Sequence, residues 1–522
     1  MARSLLKSTS VVSGLTLASR ILGLVREITL ARAFGAGPLL DAFFIALMLP
    51  NLGRRIFAEG AFSQAFVPVF TETRSQQTHE DVRELTAVVM GTLGAILGLV
   101  TVIGCFCAPL MVWAFAPGFR SDPAQAALGA ELLRWTFPYL MFISLTSMAG
   151  SILNSYGQFA VPAAAPVILN VCIIASAWIS ADSVMVLAYA VFVAGVLQLL
   201  SQLPSLMRLR LLPRPRFRPR DPRVRRIGKL MLPVVIGSSV AQVSLLLNTS
   251  LATLIADGAV SWLNFGSRLM EFPTGIFAIA VGTVILPSLA SHHTERSPEQ
   301  FSDTLDWGLR MMLVLGLPFG VALVVLGGPL TAAIFGHGQF DAHDVEMTTW
   351  VVWAYGFGFM GFALVKVLVP GFYARQETRL PVRFATIGLA AGMLLSLASF
   401  ITARSLKIEG AHVGLALSTS LTAWVNTVLL YRRLRSDGIY RPAPGWRRFG
   451  LRLLAANGLM AAVAIYGAGE LAEWTALDAL ARALRLAAVI AACGAVYFLS
   501  LWVLGLRPRH LLMARGRGAG QV

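Results

Sequence analysis

The 522-residue chain is 56% hydrophobic and only 13% charged, with a mean hydropathy of +0.71, a balance that excludes an ordinary water-soluble enzyme. Its 43 Lys and Arg against 26 Asp and Glu leave +17. In a soluble protein that excess suggests nucleic acid, but here the apolar residues come in membrane-length blocks, so the placement of charge matters more than its sum.

In chain order, apolar segments fall at about 8–33, 39–70, 87–112, 129–156, 160–180, 184–207, 228–252, 259–290, 309–330, 348–372, 380–402, 409–431, 449–468 and 482–505. They are fourteen candidate transmembrane helices, and the fold class they predict is an all-α polytopic membrane protein. The first is not read as a cleavable signal, because Arg20, Arg26 and Arg32 interrupt it and no small-residue cleavage site follows. Loops 71–86, 208–229, 373–383 and 432–448 are rich in Arg and Lys, whereas loops near 34–40, 181–183, 253–258, 331–347 and 469–481 have none. The basic set is placed in the cytoplasm with both termini, which an even number of spans requires. Arg120, Arg404 and Lys407 are minority exceptions in outward loops. The densest basic run, Arg208 to Lys229 with Pro213, Pro215, Pro219 and Pro222 among its charges, divides the chain after six spans. Between two spans such a tract is a topology determinant that also lies against anionic membrane lipids, and no nucleic acid partner is expected.

Charge inside the hydrocarbon is costly and marks function. The first segment places Arg20 near its middle and Arg26 and Glu27 further along, with Ser13, Arg20 and Glu27 at seven-residue spacing on one helix face. In the second, DAFFIALMLPNLGRRIFAEGAFSQAFVPVF supplies Asp41, Pro50, Asn51, Gly53, Arg54, Arg55 and Glu59. Pro50 removes a backbone donor and favours a kink, which makes Asn51 and Arg54 pocket candidates, while Arg55 and Glu59, four apart, suit a brace. The eighth segment, WLNFGSRLMEFPTGIFAIAVGTVILPSLA, puts Asn264 and Arg268 on one face with Glu271 beside Arg268 and Pro273 beyond. It loosely echoes the second, as in transporters built from repeats with broken helices. Separate arginines on different helices suit a multidentate anion such as a lipid phosphate, with Glu27 and Asp41 weakening the grip enough for release. Asn170, with Gly157, Pro162 and Pro166, is read instead as shaping helix packing. The four cysteines, Cys105, Cys107, Cys172 and Cys493, stand in apolar stretches without His or acidic clusters, so no metal site or disulfide is expected. Neither a GxxxxGK[ST] loop nor an HExxH pair occurs. The chain is therefore read as a transporter and not an enzyme, without a cofactor, its transport either facilitated or coupled to membrane potential or a monovalent ion.

The stretches SRILGLVREITLARAFGAG, DAFFIALMLPNLGRRIFAEGAFSQAFVPVF and SRLMEFPTGIFAIAVGTVILPSLA closely resemble the MurJ (MviN) family of bacterial lipid II flippases, within the multidrug, oligosaccharidyl-lipid and polysaccharide exporter superfamily. The resemblance extends across essentially the whole chain. It implies two six-helix lobes around a central cationic cavity plus two C-terminal helices with a groove for an isoprenoid tail. The corresponding division is 1–207 for the first lobe, 208–229 for the basic cytoplasmic linker, 230–433 for the second lobe and 434–522 for the C-terminal helix pair and basic tail. It also implies alternating access in the bacterial inner membrane. The cargo would be undecaprenyl-pyrophosphate-linked disaccharide-pentapeptide, carried from the cytoplasmic to the outer leaflet for peptidoglycan synthesis alongside the cell-wall synthesis machinery. By position, Arg20, Arg26 and Arg54 resemble the family's first-lobe cationic site, Arg268 its second-lobe contributor and Asp41 its acidic gating or pairing residue. Glu27 stands where relatives often have Asp, and Gly266 and Ser267 replace an Ala-Asp pair, leaving Glu271 as the substitute acid near Arg268. The alternatives weighed are export of another undecaprenyl-linked oligosaccharide and a non-transporting assembly partner.

Overall fold

Lipid offers no hydrogen-bond partners to the backbone, so a chain this apolar must satisfy its own N–H and C=O groups within helices. The computed structural model describes residues 2–55, 62–180, 182–280, 284–295, 297–406 and 409–506, and every regular element among them is helical. Ten helices are long and apolar enough to cross a membrane among the described residues, against the fourteen segments expected. The second and eighth segments are each interrupted by residues outside the described set, and the first helix carries Arg20, Arg26, Glu27 and Arg32.

By contacts the chain forms two units, Met1–Ser261 and Trp262–Val522. The first holds α1 (Ala2–Phe34), α2 (Pro38–Gly53), α3 (Phe62–Gln76), α4 (His79–Phe106), α5 (Ala108–Phe115), a 3-10 turn (Pro117–Ser121), α6 (Pro123–Thr136), α7 (Tyr139–Ser155), α8 (Ala160–Ile179), α9 (Met185–Arg208) and α10 (Pro222–Thr253). Its boundary falls beyond the basic tract, within the first turn of α11 (Ala259–Ala280), because α10 packs on α3.

Sequence signals set several helix starts. Thr78 and Asp81 form a capping box at α4; Asp122 and Asp221 cap α6 and α10, each followed by a Pro at the first helical position, where the missing N–H costs nothing. Contacts then sort the loops of this unit onto two faces. On one, Arg226 pairs with Glu72 at 2.9 Å, and Glu84 pairs with Arg218 at 3.2 Å and Arg223 at 3.3 Å. A core of Phe62, Phe66, Phe70, Ile152, Leu153 and Leu211 lies beneath them. On the other, Gly118 N–H donates to Thr253 Oγ1 at 3.1 Å, Ser250 Oγ to the Phe115 carbonyl at 2.7 Å, and Gln125 Nε2 to the Pro38 carbonyl at 3.2 Å. Gly118 is required there, since a Cβ would lie 1.6 Å from the Thr253 carbonyl oxygen. α10 therefore runs from the first face to the second, and the α2–α3 segment starts at the second and returns to the first.

The second unit contains α12 (Leu286–Thr294), α13 (Pro298–Val325), α14 (Gly327–Ile334), α15 (Ala342–Tyr373), α16 (Arg379–Leu406), α17 (His412–Ser436), α18 (Trp446–Ala468), α19 (Leu471–Ala476) and α20 (Ala479–Val503). α15 is its central helix, packed on α13 and α17. The C-terminal pair α18 and α20 buries Phe449, Leu453, Met460 and Tyr497 with Val314 and Leu326.

Candidate substrate site

α2 shows how a proline is accommodated inside a buried helix. Pro50 cannot donate to the Ala46 carbonyl, and the Thr136 hydroxyl of α6 takes that role at 2.8 Å. The helix passes through Pro50 to Gly53, and a π-type turn follows at 54–55. That turn brings Arg54 over Asn51, whose Oδ1 accepts from Arg54 Nε at 3.2 Å.

Arg26 of α1 is 13% exposed and pairs with Glu27, which is fully buried, at 2.5 Å. Its Nη1 donates to Asn170 Oδ1 of α8 at 3.0 Å, and Asn170 Nδ2 donates to the Ser19 carbonyl at 3.1 Å. Since the amide nitrogen is committed to Ser19, the amide oxygen must face Arg26. Glu27 and Asn170 thus fix the plane of a guanidinium that carries five N–H donors in a rigid fork. Tyr139 of α7 and Gln198 of α9, both almost completely buried, lie side by side, with Arg54 and Arg26 both within electrostatic reach of the phenol. Five helices of one unit therefore contribute to a single polar cluster.

Asp41, expected as an acidic gating or pairing residue, is 1% exposed and is held by backbone and hydroxyl donors. Its carboxylate accepts from Gly258 N–H at 2.8 Å, Ser261 N–H at 2.8 Å and Ser261 Oγ at 2.5 Å. Among the described residues it has no cationic partner. A carboxylate at the first turn of α11 satisfies donors the helix cannot and complements the positive end of its dipole. In the second unit, Arg268 Nη1 donates to Glu271 Oε2 at 2.8 Å, with the side chains 38% and 53% exposed. Gly266, just before it, is needed against α15, because a Cβ would lie 2.5 Å from Val351 Cγ1.

The family model for "Lipid II flippase MurJ" matches residues 30–484. The Lipid II flippase MurJ of Burkholderia cenocepacia is 42% identical over 514 residues, 97% of this chain and 98% of its own. The chain belongs to the MurJ lipid II flippase family. The Probable lipid II flippase MurJ of Vibrio cholerae serotype O1 is 40% identical over 98% of this chain and 99% of its own. A solved structure of "Lipid II flippase MurJ, inward closed conformation" superposes with a TM-score of 0.78 at 25% identity, covering 94% of this chain and 98% of that one. An inward-facing multidrug resistance MATE family transporter of the MOP superfamily shares the fold, with a TM-score of 0.64 at 15% identity over 82% of this chain and 98% of its own.

Within this MurJ family chain, the residues predicted from sequence separate into several environments. Arg26, Glu27, Asn51 and Arg54 fall in the polar cluster, and Arg268 pairs with Glu271. Arg20 and Ser13 are exposed on α1 while Glu27 is buried, so their seven-residue face does not keep one environment. Arg55 is exposed, and Glu59, its expected brace, lies outside the described residues. Asn170, assigned to packing, is a direct partner of Arg26. Sequence reasoning passed over Tyr139 and Gln198, which look unremarkable in apolar runs, and over Lys366. Lys366 is exposed on α15 within FALVKVLVP, where a lone cation interrupts an apolar run.

Proposed function

We propose that this chain flips lipid II, the undecaprenyl-pyrophosphate-linked disaccharide-pentapeptide, from the cytoplasmic to the outer leaflet of the bacterial inner membrane by alternating access. The observation that carries the reading is Arg26, a membrane-embedded guanidinium oriented by Glu27 and Asn170 in a chain that matches the family model over 30–484. In this reading Arg26 and Arg54 bind the pyrophosphate through charge-assisted hydrogen bonds, and Arg20, Arg268 and Lys366 contribute further positive charge to headgroup handling. Glu27 competes with the substrate for Arg26 and so allows release. Asp41, which bonds the start of α11, serves as the gating contact. Arg55 and Glu59 brace the segment that follows Arg54.

The finer architecture proposed is fourteen spans, arranged as two six-helix lobes and a C-terminal pair, with lobes at 1–207 and 230–433 and the pair within 434–522. The crossing of α10 and of the α2–α3 segment between the two loop faces of the first unit supports counting both as spans. Membrane potential or a monovalent ion resets the cycle, and the cell-wall synthesis machinery receives the product.

The test is reconstituted transbilayer movement of chemically defined lipid II by the native protein and by R26A, R54A and R268A. Each variant is expected to stay folded in the membrane and to lose transport and growth complementation. Full transport by all three would eliminate the proposed site. Equal movement of another undecaprenyl-linked glycan would replace lipid II with the broader exporter reading.

A further inference from the structure

The 208–229 tract is not a loose arm. At the end of α9, Leu211 N–H donates to the Leu206 carbonyl at 2.9 Å and Leu211 is fully buried, with Arg210 in the left-handed region at φ 55°. The chain then runs along α4, where Arg216 N–H donates to the Ala87 carbonyl at 2.9 Å and Arg218 N–H to Thr92 Oγ1 at 3.1 Å. Gly91 permits this seating, because a Cβ there would lie 2.4 Å from the Arg216 backbone nitrogen. Its arginines divide into two sets. Arg218 and Arg223 pair with Glu84, Arg223 also pairs with Asp221, and Arg226 pairs with Glu72. The Arg223 guanidinium holds the Asp221 carboxyl below the usual carboxylate range, so this pairing is intact at neutral pH. Arg214, Arg216 and Arg220 are exposed and, among the described residues, have no acidic partner. Phe217, between two arginines, is 62% exposed.

Depth decides what this surface meets. Ala87 to Thr92 open the apolar part of α4, so the segment seated on them lies where that helix enters the hydrocarbon. An arm reaching for a soluble partner has no reason to be pinned there by backbone hydrogen bonds. Exposed guanidinium groups flanking an exposed aromatic ring at this level suit phosphodiester oxygens on one side and the acyl boundary on the other.

We infer that Arg214 to Arg220 is a binding site for anionic phospholipid headgroups of the cytoplasmic leaflet, with Arg214, Arg216 and Arg220 on the phosphodiester and Phe217 entering the acyl boundary. The site rests on the inward placement of this tract and not on the identity of the transported cargo.

The test uses full-length protein in nanodiscs containing photoactivatable phosphatidylglycerol or phosphatidylcholine, with crosslinks mapped by peptide mass spectrometry. Phosphatidylglycerol is expected to label the 214–220 peptide preferentially. R214Q/R216Q/R220Q should lower that labelling by roughly tenfold or more, the effect of three surface charges. The charge-matched R432Q/R447Q/R448Q variant should leave it unchanged, and F217S, which alters no charge, should lower it several-fold. Equal loss in both triple variants, no effect of F217S, or equal labelling by the two lipids overturns the site. Stripping of phosphatidylglycerol by excess inorganic phosphate also overturns it, in favour of a free-phosphate site. None of these outcomes bears on Arg26 or Arg54, so failure here is distinct from failure of lipid II transport.

Discussion

Asn170 does two jobs with one amide: it fastens α8 to the backbone of α1 through Ser19 and aims Arg26 through its oxygen. A hydrogen bond to a charged group contributes about 1.5–3 kcal/mol. N170A is therefore expected to slow lipid II movement by roughly 10- to 100-fold, the kinetic equivalent of that range, without removing any charge. N170D tests the mechanism more sharply. A second carboxylate beside Arg26 competes with the incoming pyrophosphate, so N170D should transport more slowly than N170A with no loss of folded protein in the membrane. Measured side by side in proteoliposomes, N170D at or above the N170A rate would show that Asn170 only packs helices. The same residue marks the limit of reading at this scale. Arg26 announces itself as a charge in an apolar run, but an Asn in such a run reads equally well as helix packing, and only the approach of a helix 144 positions away separates the two.

At the scale of elements, one carboxylate gathers several of the contacts that tie the start of the C-terminal helix pair to α13. Asp306 Oδ1 of α13 accepts from Tyr440 OH at 2.8 Å, Ala443 N–H at 3.1 Å and Trp446 Nε1 at 2.7 Å, while Oδ2 pairs with Arg310 at 2.7 Å. Arg310 in turn lies over the rings of Trp446 and Phe449. Removing one member of such a buried cluster leaves the others uncompensated, at a cost of about 3–5 kcal/mol. D306A should therefore lower the thermal unfolding temperature of the purified protein and expose 437–445 to protease, whereas D306N, which keeps an acceptor for Tyr440, should do less. Equal unfolding temperatures for D306A and the native protein would remove the anchoring role. Burial and the Asp306 hydrogen bond raise the Tyr440 phenol above its ordinary range. Its contribution is thus complete below the ordinary phenol value of about 10 and fades only as pH climbs beyond it. Helix positions were largely legible from apolar blocks, and α15 and α17 fall where the pattern put them. The anchor was not, because its partners are separated by 134 to 140 positions and no local periodicity connects them.

For the whole molecule, the number of spans turns on the helices besides the ten long apolar ones among the described residues. Apolar blocks gave fourteen, and those that fall short include the stretches in which polar residues interrupt the hydrocarbon pattern; function and an unambiguous span signal compete for the same positions. The contacts of the first unit constrain the answer. Pro38 and Asp41 bond to Gln125, Gly258 and Ser261, so the loops at 35–37 and 254–258 share a face with the turn that follows α4 and α5. The basic loops of this unit, 71–86 and 208–229, lie at the opposite end of α4, a helix of 28 residues that is about 42 Å long. If the basic face is cytoplasmic, positions 37 and 257 are outside. Gly37 has open space around a Cβ, and Asp257 is exposed, so each accepts a cysteine. In a background with Cys105, Cys107, Cys172 and Cys493 replaced, G37C and D257C should react in intact spheroplasts with a membrane-impermeant maleimide. Q77C, on the basic face of the first unit, and Q376C, in the Arg-rich loop 373–383, should react only after permeabilisation. A chain with only the ten apolar spans would keep loops 35–37 and 254–258 inside, and labelling of G37C and D257C confined to permeabilised cells would reduce the count to ten.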